Sequence, residues 1–268
     1  MNAENKTIIV TGGGSGMGRE LVLNLLAKGA KVAAIDINEK TLQETAALAG
    51  DRNLNLSLFV TDITNRAGVE GLLEKVVNKF GAVDGIINNA GIIQPFIRVN
   101  DLSYEMIERV MNINFYGTLY LIKTFLPHLL TRPEAHIVDI SSMGGFLPVP
   151  GQTIYGASKA AVKLLTEGLH SELSGTNVRV TVVFPGGVST NIMSNSGLAD
   201  RLPSSAEGAQ KVLSADKAAA MIIAGMEQNR YRVLVGKDAK MLDLLYRLNP
   251  AYAAGLIAKK MGALLSWK

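Results

Sequence analysis

The stretch "KTIIVTGGGSGMGRE", residues 6–20, decides how the rest of the chain reads. It opens on a β-branched, apolar run, the composition of a strand buried on both faces. Five of the next seven positions, 12 to 18, are glycine, and a helical pattern follows in "RELVLNLLAKG". A strand that passes through a glycine turn straight into a helix is the first half of a parallel β-α-β unit. Glycine allows a tight turn and a close backbone approach. The helix start offers free N–H groups and a favourable dipole to a phosphate. The plainer alternative is a turn that binds nothing; its place at the first strand–helix junction favours the phosphate.

Six further short apolar runs repeat the pattern downstream. Strands are expected at 6–10, 31–35, 54–60, 83–88, 136–141, 178–184 and 231–235. Helical periodicity falls between them, near 17–28, 39–49, 65–80, 102–130, 152–174 and 215–229. Seven apolar strands separated by helices predict an α/β fold: a doubly wound, Rossmann-like parallel sheet with helices on both faces. Ligands of such sheets bind beyond the carboxyl ends of the strands. No linker or repeat divides the chain, so one domain over 1–268 is expected. The stretch of about 188–214 is long and irregular, which suggests a substrate loop.

Composition removes several function classes. Of 268 residues, 48% are apolar and 19% charged, which suits a large core and not a disordered chain. Cysteine is absent, and His128, His136 and His170 are scattered without ligand spacing, so no metal site is expected. The start "MNAENKTIIV" does not look like a signal peptide, and no apolar run reaches the roughly 18 residues of a membrane span. The expectation is a soluble cytoplasmic protein. The net charge of +4 equals the excess carried from residue 236 onward by Lys237, Lys240, Arg247, Lys259, Lys260 and Lys268 over Asp238 and Asp243. The remainder is balanced, so no nucleic-acid partner is expected.

The glycine turn lacks G-x-G-x-x-G spacing: the last position would fall on Met17 or Arg19. It fits T-G-x-x-x-G-x-G through Thr11, Gly12, Gly16 and Gly18, with Ser15 and Met17 inside the turn. This resembles the short-chain dehydrogenase/reductase family, in its short single-domain branch. Further matches follow in the family's order: "TDIT" (Asp62, Ile63) after the third strand, "NNAG" (Asn88, Ala90, Gly91) after the fourth, and "PGGVST" (Pro185, Gly186, Val188, Thr190) after the sixth. The resemblance implies that these segments hold adenine, ribose and nicotinamide. Asp36 ends the second strand, where a carboxylate accepts from both ribose hydroxyls and repels a 2′-phosphate. Ser15 and Ile37, where NADP users of the family often carry a base, are uncharged. NAD is therefore expected over NADP.

"QTIYGASKAAVKLLTEGL", 152–169, carries Tyr155 and Lys159 one helical turn apart. A nearby ammonium favours a phenolate and lowers a tyrosine pKa. "IVDISS" ends the fifth strand, and strand alternation lets only one of its two serines face the site. Ser142 stands 13 residues before Tyr155, the family's spacing, and is chosen over Ser141. The resemblance gives Ser142 the substrate oxygen, Tyr155 the proton transfer and Lys159 the nicotinamide ribose. Asn114, with Gly117 three residues on, matches the family's N-x-x-G asparagine, which holds a water in a proton relay. All four being present favours an enzyme over the alternative, a non-catalytic dinucleotide-binding sensor or scaffold.

The implied substrate is a secondary alcohol or its ketone. Its pocket is expected to use Ser142, Gly144, Phe146, Gln152, Ile192 and Met193, with Gln94, Phe96 and Gly186 near. These are mostly apolar, so the molecule is expected to be bulky and lipophilic. Many family members end soon after the seventh strand, whereas this chain adds a basic amphipathic extension, about 236–268. Its Met241, Leu244, Leu245 and Leu248, and then Leu256, Ile257 and Met261, fall at helical spacing. That extension can cover the pocket, pack in a homodimer or homotetramer, or lie on a membrane surface.

Overall fold

A computed structural model describes residues 1–190, 192–196 and 212–261, except the side chains of 193 and 194. Seven strands form one parallel sheet: β1 (Thr7–Thr11), β2 (Lys31–Asp36), β3 (Leu56–Val60), β4 (Gly85–Asn88), β5 (Ala135–Ile140), β6 (Val178–Pro185) and β7 (Arg232–Val235). Their order is β3-β2-β1-β4-β5-β6-β7. Every pairing is parallel, from Thr7 beside Lys31 to Pro185 beside Val235. All seven lie within two residues of the runs expected from sequence. Between β1 and β4 the strand order changes direction, which opens a crevice at the carboxyl edge.

Period-two alternation sends successive side chains to opposite layers. Ile8 and Val10 face one layer with Val32, Ala34, Ile87 and Val138. That layer is covered by Leu21, Val22 and Leu25 of α1 (Gly16–Ala27), Leu42 of α2 (Glu39–Ala49), and Ile222, Ile223 and Met226. Ile9 faces the other with Ala33, Ile35, Ile86 and Ile137, beneath Leu121, Phe125 and Leu129. The ion pair of buried Asp84 with half-buried Arg132, 3.0 Å, and the bond from Thr7 N to Asp84, 2.9 Å, fix the non-catalytic end of β1.

Two expected helices are interrupted. Residues 65–80 become α3 (Arg66–Glu70) and α4 (Leu72–Phe80), broken at Gly71. Residues 102–130 become α5 (Tyr104–Met111), a π-helical turn over Asn112–Tyr116, and α6 (Gly117–Leu129). π-turns gather at functional positions, and this one carries Asn114. Helix α7 (Thr153–Glu172) is continuous. Beyond β6, Val188–Ser189 pairs with Leu213–Ser214, and α8 (Ile192–Asn195) lies between them. The rest of the expected substrate loop lies outside the described residues. Helix α9 (Ala215–Glu227) precedes β7.

The C-terminal extension forms α10 (Lys237–Leu248) and α11 (Pro250–Met261). Its inward face differs from the stripe expected. Leu242, Ala253 and Ile257 are buried with Leu147, and Leu245, Tyr246 and Met261 pack around them. Met241, Leu244 and Leu248 point outward instead. Among the described residues no helix is long and apolar enough to cross a membrane, and no cluster of metal-ligating side chains occurs.

Candidate active site

A cleft of about 800 Å³ runs along the carboxyl edge of the sheet, from Asp36 and Asp62 at one end to Ser142, Tyr155 and Lys159 at the other. The glycine turn forms its floor. Gly12 has φ +70° and Gly16 φ +51°, conformations that glycine adopts without strain. A Cβ on Gly18 would collide with the carbonyl of Gly12, so the helix start packs directly on the turn. Thr11 ties the turn to the loop after β4: its hydroxyl accepts from the amides of Asn89 and Ala90, both 3.0 Å.

At the far end of the turn, Asp36 accepts from Gly14 N and Asn38 N, both 3.0 Å. Arg19 directly follows the glycine turn, and its guanidinium is engaged with Gly14 O at 2.6 Å and Glu44 at 2.8 Å. Among the described residues lining the cleft the only cations are Arg109 and Lys159, and Asp36 and Asp62 are two of its acids. Ile63 nests against Gly117, where a Cβ would overlap it, so that glycine makes room for the loop after β3.

At the other end, the two serines after β5 separate as alternation requires. Ser141 is buried and donates to Lys159 O at 2.8 Å. Ser142 hydrogen-bonds Tyr155 and accepts from Gly144 N at 3.0 Å. Burial raises the Tyr155 pKa, and the Ser142 bond lowers it in part. This corrects the expectation that Lys159 governs that pKa: the Lys159 ammonium donates instead to Ile140 O, 2.8 Å. Burial lowers the Lys159 pKa to about 8, opposed by the carboxylate of Asp139. Asp139 lies under the lysine, bonded to Asn88 at 2.7 Å and Thr166 at 2.9 Å, and burial raises its pKa to about 6.

Asn114 locks the loop after β4 to α7. Its Oδ1 accepts from Ile92 N at 2.9 Å, while Nδ2 donates to Ile92 O at 3.0 Å and to Ser158 at 2.9 Å. One Oδ1 lone pair remains. A Cβ on Gly91 would sit 3.1 Å from that oxygen and 3.2 Å from Lys159 Nζ, so the three meet at one point.

Most of the expected cofactor residues line the cleft: Gly12, Ser15, Gly16, Met17, Gly18, Asp36, Ile37, Asp62, Ile63, Ala90, Gly91, Pro185, Gly186, Val188 and Thr190. Asn88 does not; its amide is turned under the sheet edge to Asp139. The expected substrate residues divide. Ser142 and Ile192 line the cleft. Gly144 lies beside the Tyr155 ring, where a Cβ would be 3.5 Å from it. Phe146 turns away to stack on Phe184 and Tyr246, with ring centroids 5.5 and 6.1 Å apart. Gln152 donates to Gln94 O at 2.8 Å, and Gln94 accepts from Ile154 N and Tyr155 N at 2.8 and 2.9 Å. Both glutamines thus hold the start of α7, and neither they nor Phe96 lines the cleft. The side chain of Met193 lies outside the described residues.

Several lining residues were not anticipated. Glu105, Glu108, Arg109 and Asn112 share one face of α5 and the turn after it. Their helical spacing was visible, but nothing in it points that face at the site. Asn195 donates to Ser15 at 2.8 Å and so closes the segment after β6 over the glycine turn. Asp238 of α10 accepts from Gly187 N at 2.6 Å and fastens the Pro185–Gly187 turn.

Residues 6–200 match the short chain dehydrogenase family. The chain belongs to that family. It is 36% identical to the oxidoreductase SadH of Mycobacterium tuberculosis over 271 residues, 98% of each chain, so that likeness runs through the C-terminal extension. Among solved structures, a short chain dehydrogenase/reductase from Burkholderia phymatum in complex with NAD superposes with a TM-score of 0.84 at 25% identity. It covers 94% of this chain and 96% of that one. The closed form of serine dehydrogenase complexed with NADP+ gives 0.74 at 29% identity, covering 80% and 86%.

Proposed function

We propose that this protein is an NAD-dependent alcohol dehydrogenase or ketone reductase acting on a bulky, lipophilic secondary alcohol or the matching ketone. The observation that carries the reading is the convergence of Ser142, Tyr155 and Lys159 at one end of a cleft whose floor is a glycine turn at a helix start and whose other end holds Asp36. The residues fit a dinucleotide. Gly18 leaves no Cβ between the helix start and the turn, and Gly91 leaves open the point between Asn114 and Lys159. Asp36 and the uncharged Ile37 favour a ribose with a free 2′-hydroxyl, and Arg19 is already held by Gly14 and Glu44. The relatives' complexes include both NAD and NADP+, so this preference rests on Asp36 itself.

A bound nicotinamide supplies the hydride acceptor or donor. The chain's own groups do the rest. Ser142 donates a hydrogen bond to the substrate oxygen. Tyr155 takes the proton of the alcohol, or returns one to the ketone oxygen. Lys159 would hold the nicotinamide ribose and keeps a positive charge at that end of the cleft. Its proton is replenished along the side of Asn114 that faces Gly91. Val188 and Thr190 hold the carboxamide end.

The reading also takes the chain to be a cytoplasmic homodimer or homotetramer with no nucleic-acid partner. The test is NADH formation across a panel of secondary alcohols, repeated with NADP. The proposal expects turnover of the larger apolar members with NAD and a rate at least about tenfold lower with NADP. Equal rates with both would remove the role given to Asp36, and no turnover of any alcohol or ketone would remove the function.

A further inference from the structure

We infer that the outward face of α10 and α11 is a docking surface for an anionic lipid membrane. Met241, Leu244 and Leu248 are 56%, 61% and 76% exposed, and Tyr252 at the start of α11 is 60% exposed. Positions 241, 244 and 248 share one helical face. The opposite face, Ala239 and Leu242, is buried on the body of the protein. The outward stripe is therefore no part of the core.

Charge identifies the occupant. Lys237, Lys240, Arg247, Lys259 and Lys260 are all exposed on the same two helices. The helices carry only two acids; Asp243 pairs with Arg247 at 3.9 Å, and no ion pair joins either acid to Lys237, Lys240, Lys259 or Lys260. Asp238 accepts from Gly187 N, and Asp243 is buried against Arg232 at 3.0 Å. A two-fold contact between copies would set this face against itself and oppose like charges. A bilayer with anionic headgroups matches both halves of the pattern: apolar side chains enter the interface and the cations meet phosphate. The helices pack on Met143, Phe146, Leu147 and Val149, the segment after Ser142, so the surface adjoins the substrate end of the cleft.

Co-sedimentation of the full chain with vesicles tests this. Binding is expected to phosphatidylglycerol–phosphatidylcholine vesicles and not to phosphatidylcholine alone, and it should weaken as salt rises to about 0.5 M. Leu244→Glu/Leu248→Glu and, separately, Lys237→Gln/Lys240→Gln should each weaken binding about tenfold or more, with the Tm unchanged. No binding to anionic vesicles, equal binding to both lipids, or parent-like binding by both variants overturns the inference. So does a lower solution mass for Leu244→Glu/Leu248→Glu with lipid binding intact, which would assign the face to a second copy.

Discussion

Lys159 is held between two opposed effects, burial that removes its proton and the carboxylate of Asp139 that retains it. With its pKa near 8, the ammonium is lost as pH rises through that value. Ketone reduction, which needs the proton on the Tyr155–Lys159 pair, should therefore show a kcat/KM that falls above about pH 8. Asp139→Asn removes the group that holds the proton, so the falling limb should move to lower pH; an unmoved limb would exclude Asp139 from that role. Ser142→Ala should lower kcat about 10²-fold or more with little change in dinucleotide affinity, read from steady-state rates and fluorescence titration. That Ser141 and Ser142 turn to different partners was legible from strand alternation. The destination of Lys159 Nζ was not, because a carbonyl of the adjoining strand has no signature in sequence.

The elements that present these groups are held by side chains whose roles only the fold discloses. Gln94 accepts from the first amides of α7 and donates to Gly151 O at 2.9 Å, doing for a 20-residue helix what an N-cap side chain does. Gln94→Ala should leave two half-buried amides without a partner and lower unfolding stability by roughly 1–3 kcal/mol, measured by urea titration. An effect below about 0.5 kcal/mol would mean that the helix start does not depend on it. From sequence, Gln94 and Gln152 read as pocket residues, because nothing local says which polar side chain turns back to the chain. The strands, in contrast, were legible to within two residues, since burial on both faces leaves unbroken β-branched runs. The C-terminal stripe was legible as helix but not in its direction, because an apolar spacing is the same whether it faces inward or outward.

Across the whole molecule, pH acts on stability through buried groups on β5. His136 is fully buried, and burial lowers its pKa to about 3, helped by the N-terminal ammonium and Arg179. Thr181 donates its hydroxyl to Arg230 O at 2.6 Å, so His136 Nε2 is the donor in the 2.8 Å bond between them. The unfolded chain binds a proton at His136 below about 6.5 and the folded chain does not, so stability is lost as pH falls from there toward 3. Asp139 acts in the opposite sense: its raised pKa lets the folded state keep a proton up to about 6, so its contribution is lost as pH rises through that value. His136→Gln keeps a donor to Thr181 and removes only the first effect. Relative to the parent, this variant should gain stability on acidification from pH 6.5 to 4.5, by at most about 1.4 kcal/mol per pH unit. A difference independent of pH would show that His136 is not the titrating group.

The direct test of the central claim is single-turnover hydride transfer by Tyr155→Phe, with dinucleotide binding measured on the same sample. The account predicts that NAD still binds with near parental affinity while the chemical step slows by at least about 10³-fold. A Tyr155→Phe protein that transfers hydride at close to the parental rate would contradict it.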